Sequence, residues 1–349
     1  MKKIITGIIA AALLSVNVWA QDALLKPGHP DEYTVKKGDT LWDISGTFLS
    51  SPWKWPEIWY ANPQIENPHL IYPGDLIHLV YIDGQARLTS ERTLRLVPGS
   101  GVNANEKLSP QVRVVEREAA ITAIPLDRID SFLSRSRIVD DETVLLKAPY
   151  ILAGPQKRIV AGAGDEAYAR GNFRDLTNFG VYRKGEVFFD PKTKEALGMH
   201  ALGVGAVSIK SIQGDIATLN VVRANEEIRI EDRLLPSEDR STNSIFYPSG
   251  PDVDIHGTII GVEGGVQQVG KYNVVMINRG DREGLKIGNV LAIYKKGEVV
   301  IDRVTNGRVS LPDERAGLLM VFRTFKKMSL GLVLEADRPL TVGDSLQNP

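Results

Sequence analysis

Side chains that could carry out chemistry are scattered through this chain instead of being grouped. Its histidines stand singly, without His-Glu-x-x-His or His-x-His spacing, and no Gly-x-Ser-x-Gly motif presents a nucleophilic serine. The chain has no cysteine, which excludes disulfides, thiolate metal ligands and cysteine nucleophiles. We therefore expect a protein that is not an enzyme and needs no cofactor. The histidines are His29, His69, His78, His200 and His256.

A cluster of acids in the middle of the chain invites a metal hypothesis. It lacks the ligand-loop spacing and the turn glycine of a calcium site, and such carboxylates usually line a solvated helix face. No metal site is predicted. The acids are Asp127, Asp130, Asp140, Asp141 and Glu142.

Two other motifs are weak. The run Gly162–Ala167 (GAGDEA) superficially matches a dinucleotide fingerprint, but residues 168–172 end any following helix, and a phosphate site needs a helix N-terminus. A β-turn is the favoured interpretation. Glu57 could serve a glycosidase, but no paired carboxylate can be argued from the spacing.

Composition bounds the function further. The 349 residues carry a formal net charge of −1, which argues against a nucleic-acid-binding protein. The length predicts two or three domains. Beyond residue 82 the apolar segments are short, rich in Val, Ile and Leu, and interrupted by Gly, Asp or Pro, which favours β structure.

The first folded element is predicted from residue 33 onward. Alternation at Tyr33 and Val35 predicts a strand, and Lys37-Gly38-Asp39 a turn. Thr40 is a candidate helix N-cap, with Asp43 completing a weaker capping box. The apolar side chains of the following segment repeat at helical spacing; they are Leu41, Ile44, Phe48 and Leu49.

A second helix and a closing strand follow. Pro56 fits the first turn of a short helix that ends before Pro63. Pro73 and Gly74 occupy the central positions of a type II turn, and residues 76–82 (LIHLVYI) read as a strand.

This order, with YTVKKGDTL at the first turn, Asn-Pro at 62–63 and IYPGDLIHL at the last, resembles the LysM family over residues 33–80. The resemblance implies a small βααβ domain that binds N-acetylglucosamine glycans, usually those of peptidoglycan, without cutting them. It also implies a shallow groove between the loop after strand one and the loop before strand two. The glycan contacts that it implies are Gly38, Asp39, Thr40 and Leu41 on one wall, and Asn62, Pro63, Gln64, Ile65, Ile71 and Tyr72 on the other.

The chemistry of these walls suits such a ligand. An acetamido sugar offers an amide donor and acceptor, hydroxyls and a methyl group, which turn amides and a small apolar pocket can satisfy. A structural alternative stays open for each residue. Gly38 and Gly74 serve equally well as turn glycines, and Leu41 and Ile71 as core.

Residues 51–59 depart from the short family pattern, because they hold three tryptophans. These residues could form core, stack on sugar rings or dock a partner protein. We predict core packing for Trp59. Trp53 and Trp55, which precede Pro56, are the candidates for exposed stacking or partner contact.

The C-terminal half contains an internal repeat. YRKGEV at 182–187 recurs as YKKGEV at 294–299, and the pairs Tyr182/Tyr294 and Asp232/Asp344 share an offset of 112 residues. A duplicated β unit, as a pair of small barrels or sandwiches, is the simplest interpretation. The predicted class is α+β: a LysM module at 33–82, a mixed α/β middle segment at 83–160, β-rich repeats at 161–236 and 255–349, and a linker at 237–254.

The first twenty residues read as a secretory signal. Lys2-Lys3 precedes an apolar run, and Val18-Trp19-Ala20 predicts cleavage after Ala20. A membrane anchor is the rival interpretation, but the run is short for a span, which needs about 20 apolar residues. We expect a periplasmic protein without a membrane span after cleavage.

Over its whole length the chain loosely resembles periplasmic LysM proteins associated with the type IV pilus secretin. That resemblance implies a tether between peptidoglycan glycan strands and an outer-membrane secretin or another envelope complex. The alternatives are a cell-wall hydrolase targeted by its LysM module, and a scaffold that has lost sugar binding.

Overall fold

The computed structural model describes residues 25–59, 71–82, 85–91, 121–126, 128, 129, 132, 136–154, 158–173, 176–237, 246–265 and 267–349. The described chain is mainly β, with few helices. It divides into two compact units, Met1–Pro125 and Leu126–Pro349.

The first unit is a βααβ module extended by a third strand. Its elements are β1 (Glu32–Thr34), α1 (Leu41–Phe48), a 3-10 turn (Pro52–Lys54), α2 (Trp55–Trp59), β2 (Leu76–Ile82) and β3 (Gln85–Glu91). The three strands form an antiparallel sheet in which β2 is central. The predicted strand–helix–helix–strand order is confirmed, and β3 is an addition.

The core of this unit lies between the helices and one face of the sheet. Side chains at helical spacing on α1 meet strand residues at alternating positions, as expected for an amphipathic helix on a half-buried sheet. The buried side chains at its centre include Leu41, Ile44, Phe48, Trp55, Trp59, Ile71, Ile77 and Leu88.

The second unit begins with a seven-stranded sheet. The elements are β4 (Ser136–Val139), α3 (Glu142–Leu146), β5 (Tyr150–Ala153), β6 (Val160–Ala161), β7 (Glu166–Arg170), β8 (Asn178–Phe189), β9 (Ala196–Gln213), β10 (Ile216–Ala224), β11 (Ile228–Arg229) and β12 (Arg233–Pro236). The order is β10-β7-β5-β12-β8-β9-β4, and β10 also pairs with β9. That extra pairing closes six strands into a circuit.

A closed barrel of order β13-β15-β20-β19-β16-β22 completes the chain. The elements are β13 (Gly257–Val262), β14 (Gln268–Val269), β15 (Val274–Ile277), β16 (Val290–Lys295), β17 (Val299–Ile301), β18 (Arg308–Ser310), β19 (Glu314–Thr324), β20 (Ser329–Ala336), β21 (Leu340–Thr341) and β22 (Ser345–Gln347). The β17–β18 hairpin forms a separate two-stranded sheet.

Two of the predicted domain boundaries fall inside these structures. The boundary at 160 is wrong, because Tyr150–Ala153 pairs with Glu166–Arg170 in the same sheet. Part of the predicted linker at 237–254 is bound to the barrel, since the amide of Val290 donates to the carbonyl oxygen of Ser249 at 2.8 Å. Both contacts were missed because each joins segments that are distant in the chain.

A buried polar contact joins the two β structures of the second unit. The Asp190 carboxylate follows β8 and accepts from the Asn278 side-chain amide at 2.9 Å and from Arg279 Nη1 at 3.5 Å. It also accepts from the amides of Lys192 and Thr193. Within the described ranges, no helix is both long and apolar enough to span a bilayer.

Candidate functional site

The module contains two turns of the same conformation, one of which directly precedes the cap of α1. In Lys36–Asp39 and in Tyr72–Asp75, the last amide donates to the first carbonyl, at 3.2 and 3.0 Å. Each aspartate carboxylate accepts from the amide of the first residue of its turn, at 2.8 and 3.0 Å. The third positions, Gly38 and Gly74, have φ of +93° and +94°. The left-handed region admits glycine without strain, which confirms the predicted turn at Gly74.

Val35 ties the two turns together. Its amide donates to the carbonyl oxygen of Asp75 at 2.9 Å, and its carbonyl oxygen accepts from the amide of Gly74 at 2.8 Å. Because Val35 directly precedes the first turn, this pair of backbone hydrogen bonds fixes the spacing of the two walls. The turns that end at Asp39 and Asp75 therefore lie side by side in one module.

Thr40 caps helix α1 as predicted. Its hydroxyl oxygen accepts from the amide of Asp43 at 3.2 Å, and the amide of Thr40 donates to the Asp43 carboxylate at 3.3 Å. This reciprocal capping box satisfies one of the first free amides of the helix. Thr40 is itself buried, so its side chain acts in the cap and not at the surface.

Asp39 is held by Tyr33. The phenol donates to the Asp39 carboxylate at 2.9 Å. Burial, together with this hydrogen bond and the negative charges of Asp39 and Asp43, raises the pKa of Tyr33 to about 12. The phenol therefore stays protonated at neutral pH, and it orients the carboxylate beside the exposed Gly38.

Leu41 and Ile71, two of the predicted glycan contacts, have side chains that belong to the core. The two side chains are 0% and 1% exposed and pack in the same cluster. The core alternative therefore holds for both side chains. The amide of Leu41 and the carbonyl oxygen of Ile71 are both hydrogen-bonded within the module.

A segment that sequence reasoning missed occupies these backbone groups. The amides of Leu41 and Trp42 donate to the carbonyl oxygens of Thr122 and Ala123, at 3.0 and 3.2 Å. The amide of Ile121 donates to the carbonyl oxygen of Ile71 at 2.9 Å. The residues 121–123 thus bridge the helix start and the second wall. The sequence signal was that apolar Ile121 and Ala123 flank Thr122, which predicts burial. It does not indicate which residues the segment packs against.

The burial of the three tryptophans in residues 51–59 differs in part from the prediction. Trp59 is buried, which confirms its assignment to the core. Trp55 is 1% exposed and lies in the core cluster, so its assignment as a stacking platform is wrong. Trp55 is the first residue of α2, and its side chain lies on the face of that helix that packs into the core. Trp53 is half-buried and carries the Lys54 ammonium 5.3 Å from its ring centroid.

The remaining predicted contacts are placed as follows. Tyr72 is half-buried at the start of the second turn, with its amide bound to Asp75. Asn62, Pro63, Gln64 and Ile65 lie outside the described residues. In the part of the chain that the structure describes, no cluster of His, Asp and Glu has the grouping of a metal site.

Comparison with known proteins finds a family for the first module. Residues 33–79 match the family model described as LysM domain. That match indicates a module that binds peptidoglycan or N-acetylglucosamine. The match covers a minor part of the chain.

A curated relative has a match of similar extent. The protein named "Uncharacterized protein YqbP" of Bacillus subtilis (strain 168) is 42% identical over 60 residues, which are 14% of this chain and 27% of that protein. The chain thus spans about a quarter of the length of this relative. The similarity is that of a module and not of a whole protein.

Proposed function

We propose that the LysM module binds the N-acetylglucosamine strands of peptidoglycan without cutting them. The observation that carries the proposal is the LysM match at residues 33–79, together with two like turns tied through Val35 at the start of α1. Helix-start amides and an adjacent carbonyl oxygen are the kinds of hydrogen-bond partner that an acetamido group needs. In the structure those of Leu41, Trp42 and Ile71 are paired with residues 121–123. Each such hydrogen bond contributes only about 0.5–1.5 kcal/mol net, so a single module binds weakly.

We further propose that the chain is exported to the periplasm, is not an enzyme, and tethers an envelope assembly, in the first instance a type IV pilus secretin, to the wall. The secretory pattern of residues 1–20 and the longer resemblance support this proposal. An exposed apolar hairpin in the second unit favours a protein partner there, with Val299, Ile301 and Val304 at 61%, 66% and 90% exposure. Several chains around a ring-shaped partner would multiply weak wall binding.

We infer that the two β circuits are copies of one unit. In both, the strands follow one neighbour order, with β5, β7, β10, β9, β8 and β12 matching β13, β15, β20, β19, β16 and β22. Tyr182 pairs with Arg233 as Tyr294 pairs with Ser345, and both positions keep the offset of 112 residues. Asp232 and Asp344 each accept from the amide three residues earlier, at 2.7 and 2.8 Å.

Co-sedimentation of residues 21–349 with purified sacculi tests the wall-binding proposal. We expect retention of the wild-type chain and weaker retention of Gly38→Ala, which places a strained methyl group on the first wall. Gly28→Ala is the matched control. Both glycines have positive φ, +93° and +76°, and open space where the Cβ would lie, but Gly28 is outside the two turns.

The outcomes separate the candidate functions. No retention of the wild-type chain ends the wall-binding proposal and leaves a scaffold without sugar binding. Release of soluble muropeptides would establish the hydrolase alternative. Co-purification of a secretin from detergent-solubilised envelopes tests the partner, and its absence from the eluate contradicts the secretin proposal.

A further inference from the structure

The residues 121–123 hold the polar groups that a glycan would need. Their backbone accepts from the amides of Leu41 and Trp42 and donates to the carbonyl oxygen of Ile71. The amides of Leu41 and Trp42 have no acceptor within the helix itself, whereas the amide of Asp43 is capped by Thr40. A ligand cannot bind to these groups while the segment is in place.

Side-chain burial holds the segment there. Ile121 and Ala123 are 6% and 1% exposed, and both belong to the core cluster of the module together with Leu41 and Ile71. Thr122 lies between them, and its hydroxyl donates to the carbonyl oxygen of Ile124 at 2.7 Å. Residues 121–123 are therefore docked on the module by buried side chains and hydrogen bonds.

The segment and an acetamido sugar offer the same chemistry. A peptide unit and an acetamido group each present one N–H donor and one carbonyl acceptor, and each places a small apolar group beside them. The methyl group of Ala123 and the methyl group of an N-acetyl substituent are equal in size. One set of partners on the module thus suits either occupant, and the two exclude each other.

We propose that the residues 121–123 are an internal competitor, which occupies the glycan site of the module and is displaced when an N-acetylglucosamine strand binds. This inference rests on the proposed function, since it concerns the regulation of the same site. The affinity of the intact chain is then reduced by the fraction of molecules in which the site is open. Any change that releases the segment strengthens wall binding without adding a contact.

Calorimetric titration of residues 21–349 with chitotetraose tests the competition. Ile121→Asp places a charge at a buried position and expels the segment. We expect its dissociation constant for the tetrasaccharide to fall at least about tenfold below the wild-type value. Val304→Asp is the matched control, because the same type of change at a side chain that is 90% exposed leaves the dissociation constant unchanged.

Hydrogen exchange on the wild-type chain gives a second measurement that does not depend on a variant. With saturating chitotetraose we expect faster exchange at the Ile121 amide, which loses its bond to Ile71. The amides of Leu41 and Trp42 stay protected, because the sugar replaces the segment as their acceptor.

The outcomes distinguish this inference from the proposed function. Binding with unchanged exchange at Ile121, or with equal affinity in a folded Ile121→Asp chain, overturns the competition and leaves glycan binding intact. The residues 121–123 would then be a permanent part of the module. No binding by either chain overturns both, because the site would take no acetamido sugar even when open.

Discussion

The amide of Leu41 donates to the carbonyl oxygen of Thr122 at 3.0 Å, and these residues are far apart in the chain. Leu41 opens helix α1 in the LysM module, whereas Thr122 lies beyond the third strand. The hydrogen bond completes the capping of the helix that Thr40 begins. It also makes a distant segment part of the surface on which we propose that glycan binds.

The cap itself gives the first prediction. We expect Thr40→Ala to lower the free energy of unfolding of the module by about 0.5–2 kcal/mol, because the amide of Asp43 loses its acceptor. Tryptophan fluorescence during urea unfolding reports this module selectively, since all tryptophans after Trp19 lie at residues 42–59. Thr40→Ser, which keeps the hydroxyl, is the control. Equal losses for the two variants would mean that the methyl group, not the cap, stabilises the helix start.

The two tryptophans before Pro56 give the second prediction. Trp55→Ala leaves a cavity in the core and should cost about 3–5 kcal/mol. Trp53→Ala removes a half-buried ring and should cost less than about 1 kcal/mol. Urea unfolding followed at the remaining tryptophans compares the two. Similar costs would contradict the assignment of Trp55 to the core and Trp53 to the surface.

Local patterns explain what the sequence could predict. The cap at Thr40, the glycine turn at Gly74 and the strand at Leu76–Ile82 each depend on neighbours within a few residues, so composition and spacing were sufficient. Trp55 was misassigned because a position before proline says little about which face of α2 turns inward. The packing of α2 against α1 and the sheet decides which face of α2 is buried.

The contact made by the residues 121–123 could not be predicted in this way. The contact joins the start of α1 to a segment beyond β3. Closing so long a loop requires no particular residue pattern near either end, so the sequence does not reveal the contact. Their alternating apolar pattern predicts burial but names no partner. The pairing of Tyr150–Ala153 was missed for the same reason. Its partner strands are β7 and β12, and β12 lies about 80 residues further along the chain.

Alkaline stability gives the third prediction. The pKa of Tyr33 is raised from 10.0 to about 12 in the folded module. The unfolded chain therefore loses its phenol proton first, so the stabilisation is complete below pH 10 and is lost as the pH rises through about 12. We expect Tyr33→Phe to reduce the slope of unfolding free energy against pH between 10 and 12. Tyr81→Phe, at a side chain that is 60% exposed, is the control. An unchanged slope in Tyr33→Phe would contradict the phenol's role.

Acid stability of the second unit gives the fourth prediction. Hydrogen bonds from the amides of Thr193 and Lys192, then from Asn278, and the charge of Arg279 lower the pKa of the buried Asp190 carboxyl from 3.8 to about 2. A lowered folded pKa means that the stabilisation is present above about pH 4 and is lost as the pH falls toward 2. The contribution at neutral pH is about 2 kcal/mol.

We therefore expect Asp190→Asn to destabilise the second unit at pH 7 and to flatten the fall in its stability between pH 4 and pH 2. Thermal unfolding followed by β-sheet circular dichroism measures both effects. Asp254→Asn is a control, because its side chain is 78% exposed.

The side-chain amide of Asn278, which follows strand β15 of the barrel, donates to the Asp190 carboxylate. Asn278→Ala should therefore also destabilise the second unit at pH 7. If Asp190→Asn instead retained the wild-type acid profile, the carboxylate would not be the group whose protonation weakens the join between the two β structures.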